Sequence, residues 1–137
     1  MEYLSHESVL AFILRMILGI LFFFQGFDKV FNVGIPGVIN YFGEESRHKN
    51  VPGFVLSFSA YLTSYIELIC GFLLIVGLFK TPALYFLGVD LIIVSAAFSF
   101  LKPMWDMQLL FPRLAILIAI LCLPAEWDMI SLDFMLR

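Results

Sequence analysis

Seven charged or amide side chains interrupt the long apolar runs of this sequence. The clearest case is Glu67, in the stretch SYIELICGFLLIVGL (residues 64–78), where every later residue is apolar, small or a thiol. A charge at the centre of a bilayer costs about 2.5–3.5 kcal/mol on insertion scales, so such groups are expected to face one another or a polar cavity. Together they could neutralise one another, bind a polar head group or exchange a proton. The seven are Arg15, Gln25, Asp28, Lys29, Glu67, Asp90 and Arg113.

The composition indicates that a lipid bilayer surrounds these groups. Hydrophobic residues make up 62% of the 137 residues, charged residues only 14%, and the mean hydropathy is +1.01. A soluble domain of this length carries about a quarter charged residues. So much apolar surface cannot be buried in so small a globule, and we therefore expect an integral, multi-pass membrane protein.

Four apolar runs reach or approach the length of about 20 residues that a membrane-spanning helix needs. They cover residues 9–31, 54–79, 82–101 and 109–123, and a longer loop joins the first two. We predict an all-α fold, with one transmembrane domain over residues 1–137 built as an antiparallel bundle of four transmembrane helices. Residues 125–137 are typical of a segment at the membrane interface. In the loop, IPGVINYFG fits either a re-entrant or a surface helix.

The spacing of the polar residues places them on one face of each of the first two predicted helices. At about 100° per residue, one arc about 80° wide on the first helix holds Arg15, Gly19, Phe22, Gly26 and Lys29. A similar arc on the second helix holds Ser57, Ala60, Ser64, Glu67 and Gly71. Small residues allow helices to approach closely, so both faces are expected to face protein.

Depth along the helices suggests which charges meet. With a rise of about 1.5 Å per residue, Arg15 and Asp90 lie at similar depths from the side of the termini, and we predict that they form an ion pair. Arg113 enters from the opposite side, where its predicted partner is Asp28 or Glu67. Glu67 itself falls near the middle of the membrane.

Two interpretations of these charges stay open. Ion pairs could serve only to fix the register and order of the helices, with the arginines reaching toward lipid head groups. Alternatively, the residues line a small polar cavity for a ligand, a quinone head group or a proton. The candidates for that cavity are Arg15, Gln25, Lys29, Glu67, Asp90 and Arg113.

Other classes of function find little support in the sequence. The net charge is −3 and there is no basic cluster, so we expect no nucleic-acid partner. His6, His48, Cys70 and Cys122 lack the spacing of metal ligands, so we expect no metal site. The sequence contains no haem motif, and no covalently bound cofactor is expected. It also contains no nucleophile–base pair, and whether the protein is an enzyme stays undecided.

Two blocks of the sequence resemble the DoxX family of small bacterial four-helix membrane proteins. LRMILGILFFFQGFDKVF, residues 14–31, is similar to the family's pattern of Arg, Gly, Phe and Gly-x-x-Lys. IELICGFLLIVGLFKTPA, residues 66–83, is similar to its Glu-x-x-x-Gly-x-x-Leu-x-x-Gly-Leu pattern, and Lys80 stands where the family commonly has a basic residue. Asp90 departs from the pattern. The matching positions are Arg15, Gly19, Phe22, Gly26, Lys29, Glu67, Gly71, Leu74, Gly77 and Leu78.

The resemblance implies a subunit of a quinone-linked or other redox membrane system, because the family is named for a subunit of such a system. It implies that Arg15, Lys29 and Glu67 lie in or beside a polar pocket that could take a quinone. It also implies other membrane or redox proteins as partners, in the bacterial inner membrane. A non-enzymatic accessory subunit of a larger membrane complex and a carrier of a small lipophilic molecule stay open, as does the oligomeric state.

Overall fold

The chain is helical throughout the part that can be described. A computed structural model describes residues 5–45, 52–101 and 107–136, and within these ranges it contains six α-helices and no β-strand. The predicted all-α class is confirmed. The helices are α1 (His6–Phe27), α2 (Ile35–Glu45), α3 (Gly53–Val76), α4 (Lys80–Leu101), α5 (Met107–Cys122) and α6 (Leu132–Met135), with a π-helical turn at Asp28–Asn32 and a 3-10 turn at Ala125–Trp127.

Three described segments are long and apolar enough to cross a membrane: His6–Asn32, Gly53–Val76 and Lys80–Ala97. A full span takes about 20 residues, whereas α5, which corresponds to the predicted span 109–123, has 16. The described residues thus form three candidate spans and one shorter apolar helix, where the sequence predicted four spans. Large apolar side chains cover the outside of the spans, as a lipid-facing surface requires, among them Phe24, Phe58, Phe72 and Ile92.

A tight turn joins α3 to α4. α3 ends at Val76, before the predicted boundary at residue 79. Gly77 follows with a φ of 75°, a left-handed conformation that glycine adopts without strain. The amide of Leu78 donates to the carbonyl of Leu73 at 2.9 Å and closes the helix end. The turn sets α3 and α4 side by side and antiparallel.

Glycines bring α1 and α3 into close contact. A Cβ atom on Gly71 would lie 2.7 Å from the Cα of Phe23, and one on Gly26 would lie 2.7 Å from the Cα of Leu68. Real Cβ atoms essentially never come that close to another heavy atom. The two contacts occur in opposite order along the two helices, so α1 and α3 run antiparallel, and their glycine-bearing faces pack against each other.

Gly71→Ala is expected to lower the free energy of unfolding by about 1–3 kcal/mol, because the added methyl group must push the backbone of α1 away. Gly88→Ala in α4 is the matched control. There the nearest atom to the new Cβ is Cδ2 of Leu117, at 3.7 Å, and alanine favours the helix. Unfolding followed by circular dichroism in detergent micelles checks both. Equal losses for the two variants would contradict a backbone contact at Gly71.

The predicted long loop between the first two spans contains α2. Gly34 precedes this helix with a φ of 77°. Ile35 and Val38 of α2 are buried together with Ala60 of α3, which places α2 beside the start of α3. The segment Ile35–Glu45 therefore forms a helix, which both the re-entrant and the surface alternatives require.

Leucine and phenylalanine fill the interior of the bundle. Residues from α1, α3, α4 and α5 share one buried cluster, so these four helices pack as a single unit. The cluster includes Leu18, Phe22, Leu74, Leu87 and Leu117. The charged residues described below are held by this apolar framework.

Candidate functional site

The π-helical turn at the end of α1 orients Lys29. In this turn the amide of Val33 donates to the carbonyl of Asp28 at 2.8 Å, which is a bond across five residues. A π-helical turn inserts one residue and redirects the side chains that follow, and such turns are frequent at functional sites. The ammonium of Lys29 reaches from here to α3.

Glu67 is fully buried on α3 and accepts two hydrogen bonds from the α1 side. Lys29 Nζ donates to Glu67 Oε1 at 3.0 Å, and Gln25 Nε2 donates to the same oxygen at 3.3 Å. The side chain of Lys29 is 20% exposed and that of Glu67 is 0% exposed. A buried carboxylate needs such partners to offset the loss of its hydration. The three side chains form one polar contact across the α1–α3 interface.

Asp90 of α4 and Arg113 of α5 approach Glu67 from the other side. The two carboxylates interact electrostatically with each other and with the guanidinium of Arg113. The guanidinium carbon also lies 5.9 Å from the centre of the Phe22 ring, within cation–π distance. Glu67, one of the two predicted partners of Arg113, is therefore a charged neighbour of its guanidinium. Asp28, the other predicted partner, accepts a hydrogen bond from Asn32.

These groups line a half-open cavity of about 450 Å³, here called the polar cavity. Leucine, phenylalanine and valine side chains form its other walls. Lys29 and Arg113 supply positive charge to the two carboxyl groups of Glu67 and Asp90. The polar side chains that line it are Gln25, Asp28, Glu67, Asp90 and Arg113.

The carboxyl groups of Glu67 and Asp90 lie within hydrogen-bonding distance of each other. Both side chains are fully buried, and two acids held this close in an interior favour a state in which they do not both carry a charge. Beside them, Oε1 of Gln25 has no hydrogen-bond donor among the described residues.

Arg15 lies elsewhere, at the end of the bundle where α3 ends and the C-terminal tail returns. Its guanidinium donates to Asp128 Oδ1 at 3.3 Å and to the carbonyl of Ile75 at 3.1 Å. It also donates to the carbonyls of Leu74 and Ile130. A cation is favourable beside the free carbonyl groups at a helix C-terminus. Arg15 therefore ties α1, α3 and the tail together.

Further polar contacts hold the tail, residues 123–136. Lys80 Nζ lies 3.4 Å from Asp128 Oδ2, and Ser131 Oγ donates to the carbonyl of Asp128 at 2.8 Å. The carboxylate of Asp133 accepts from the amides of Phe79 and Lys80 at 2.9 and 3.0 Å and caps the start of α4. Over its described residues, the predicted interfacial segment 125–137 thus consists of two short helical pieces that pack on the end of the bundle.

The predicted Arg15–Asp90 ion pair is wrong. Arg15 bonds to the last turn of α3 at Leu74 and Ile75, whereas Asp90 lies beside Glu67. The seven or eight residues between these levels correspond to about 11 Å along the helix axis. The depth estimate assumed that the helices begin and end level with one another. In the structure, α1 extends beyond the end of α3, and the tail fills the space beside it.

Five of the six predicted cavity residues come together, and Arg15 does not join them. The five are Gln25, Lys29, Glu67, Asp90 and Arg113. The roles of Lys80, Asp128 and Asp133 in holding the tail were not predicted from the sequence. One feature of the sequence could have predicted the contact between the tail and Arg15. The tail stretch EWDMISLDF contains three acids and no base, and a buried arginine at the same end of the bundle needs a counter-charge.

Comparison with known proteins places most of the chain in one family. A family model described as DoxX matches residues 10–102, which are 93 of the 137 residues. The match includes Arg15, Lys29, Glu67 and Asp90, whereas Arg113 and the tail lie outside it. No curated protein and no solved structure matches the chain.

Proposed function

The chain belongs to the DoxX family, and from this premise we propose that it is a small subunit of a quinone-linked or other redox membrane system. In this proposal the polar cavity holds the polar head group of a lipophilic molecule, for which a quinone-type head is the candidate. The proposed location is the bacterial inner membrane, with other redox proteins as partners.

One observation carries the proposal: the bundle leaves a cavity of about 450 Å³ where its charged residues meet. Ion pairs that only fixed the order of the helices would be expected in a filled interior, with each group satisfied by its neighbours. The charged residues of this bundle instead border an open space. Apolar walls with a few convergent polar groups are the usual form of a small-molecule site.

The walls of the polar cavity suit a head group attached to a hydrocarbon tail. Leu21 and Phe24 contribute to the wall, and they are 36% and 58% exposed on the outside of α1. This outside is the apolar, lipid-facing surface of the span. A lipophilic molecule can therefore reach the cavity from the bilayer, with its tail in lipid and its head beside Glu67. A carboxylate within hydrogen-bond reach of the head group can exchange a proton with it.

The proposal predicts that a quinone-type lipid copurifies with the protein and that Glu67→Gln weakens its binding about tenfold or more, because the paired carboxylate is lost. Protein purified in mild detergent would be reconstituted in nanodiscs and titrated with a short-tailed quinone, with bound lipids extracted and identified by mass spectrometry. Glu7→Gln, at an exposed position in the first turn of α1, is the matched control and is expected to bind like the wild type. No bound lipid and no binding by the wild type would contradict the proposal.

A second candidate, a non-enzymatic accessory subunit, is favoured by the surface of α5. Ala115 and Cys122 are exposed on this helix and Ala119 is half-buried. Small side chains allow a partner helix to approach closely. The same purification separates the two candidates, since a stoichiometric membrane protein without bound lipid favours the accessory subunit.

A carrier of a small lipophilic molecule has less support. Such a carrier must open its binding site to both sides of the membrane in turn. The contacts of Arg15 with α3 and the tail cover one end of the bundle.

A further inference from the structure

Two acids from neighbouring helices meet inside the bundle. Glu67 of α3 and Asp90 of α4 are both 0% exposed, and their carboxyl groups lie within hydrogen-bonding distance of each other. No N–H or O–H group of the described residues donates to either oxygen of Asp90 or to Oε2 of Glu67. Two carboxylates cannot bond to each other, because neither has a hydrogen to donate. A bond between the two groups therefore requires a proton on one of them.

The other contacts of Glu67 identify it as the ionised member of the pair. Lys29 Nζ and Gln25 Nε2 both donate to Glu67 Oε1, at 3.0 and 3.3 Å. Hydrogen bonds to the charged form of an acid, and a cation beside it, favour that form. Neither oxygen of Asp90 accepts such a bond from the described residues. The proton is therefore more stable on Asp90, where it can bond to the second oxygen of Glu67.

We propose that Glu67 and Asp90 form a buried proton-binding site, in which Asp90 stays protonated at neutral pH and donates its hydroxyl hydrogen to Glu67 Oε2. This inference goes beyond the proposed function, because its ligand is a proton and no head group needs to be bound. Release of the proton breaks the O–H bond of Asp90 and leaves the electron pair on its carboxylate. Uptake reverses this step.

Charged and titratable groups of the neighbouring helices face the site. Lys29 approaches from the end of α1 and Arg113 from α5, and both supply positive charge. Cys70 of α3 interacts electrostatically with Asp90. Asp28 lies on the wall of the polar cavity, at an exposed position. One proton on the pair leaves a single buried negative charge there, and Lys29 is its bonded partner.

Holding this proton lowers the stability of the fold. Aspartic acid is ordinarily ionised at neutral pH, so keeping it protonated costs free energy that one hydrogen bond returns only in part. An apolar side chain at this position would avoid the cost. An acid that is kept under these conditions is typical of a group that exchanges a proton.

Infrared spectroscopy of the protein in nanodiscs detects such a proton directly. A protonated carboxyl group has a carbonyl stretching band that lies apart from the carboxylate bands and shifts in deuterium oxide. We expect this band at neutral pH in the wild-type protein without any added ligand. Asp90→Asn should remove it, because the amide donates to Glu67 in place of the acid and Glu67 stays ionised. Glu7→Gln, at an exposed position, is the control and should keep the band.

Glu67→Gln tests the acceptor, and does so even if Asp90→Asn does not fold. It replaces the carboxylate with a neutral amide, so the band of Asp90 should change its frequency or disappear. An unchanged band would show that Asp90 does not donate to Glu67 and would overturn the inference. So would the absence of the band from the wild type at neutral pH, or its persistence in Asp90→Asn. Failure to bind a quinone would count against the proposed function alone, since the band is measured without a ligand.

Discussion

Arg15→Met is expected to lower the free energy of unfolding by about 3–5 kcal/mol, the loss typical of removing one partner from a buried ion pair. Methionine approximates the length of the arginine stem but donates nothing. Asp128, whose side chain is 5% exposed, would keep only its contact with Lys80. The carbonyls of Leu74, Ile75 and Ile130 would lose the donor they share. The tail should then separate from the bundle.

Lys80→Met is the matched control for this substitution. It removes one long ion pair of 3.4 Å from a side chain that is 11% exposed, and leaves the contacts of Arg15 in place. Its expected cost is about 1–2 kcal/mol, below that of Arg15→Met, because Asp128 keeps Arg15 as its counter-charge. Unfolding by sodium dodecyl sulfate in mixed micelles measures both losses, and limited proteolysis of the tail reports its release. Equal losses, or a tail that stays protected in Arg15→Met, would contradict a central role for Arg15.

The α1–α3 interface could be predicted from the sequence because helical periodicity is a local property. Gly19 and Gly26 lie on one face of the first helix and Gly71 on one face of the second, as a turn of about 100° per residue predicts, and small residues on such faces allow helices to approach closely. The same periodicity turns Lys29 and Glu67 inward, on facing sides of the two helices. The 3.0 Å contact between Lys29 Nζ and Glu67 Oε1 also depends on the π-helical turn, and no pattern in the sequence predicted that turn.

The relative heights of the helices could not be predicted in this way. Depth along one helix is fixed by its rise per residue, but the offset between two helices depends on how their side chains interlock. The offset between α1 and α3 sends Arg15 to the tail and leaves Asp90 beside Glu67. The bonds between Arg15 and Asp128 join residues 113 positions apart, which no local pattern encodes.

Asp90→Leu is expected to raise the free energy of unfolding by about 1–3 kcal/mol, although it replaces a fully buried residue near the middle of α4. The carboxyl group of Asp90 is fully buried next to that of Glu67, and two acids held this close in an interior cannot both carry a charge without cost. An apolar side chain at this position removes the buried acid and its unfavourable interaction with Glu67, while Lys29 and Gln25 stay bonded to Glu67. The same substitution should weaken binding of the head group about tenfold or more, because one of the few polar side chains that line the polar cavity is lost.

Glu67→Leu is the comparison that distinguishes a residue needed for stability from one needed only for binding. Glu67 accepts from both Lys29 and Gln25, so its loss leaves a cation without its partner and should lower stability by about 1–3 kcal/mol. Chemical unfolding of both variants in the same micelles, with head-group titration alongside, gives the comparison. If a residue is needed for binding and lowers stability, its replacement raises the free energy of unfolding and weakens binding of the head group. If Asp90→Leu instead destabilises as much as Glu67→Leu and leaves binding unchanged, Asp90 serves only the packing of the bundle, and the polar cavity is not a binding site.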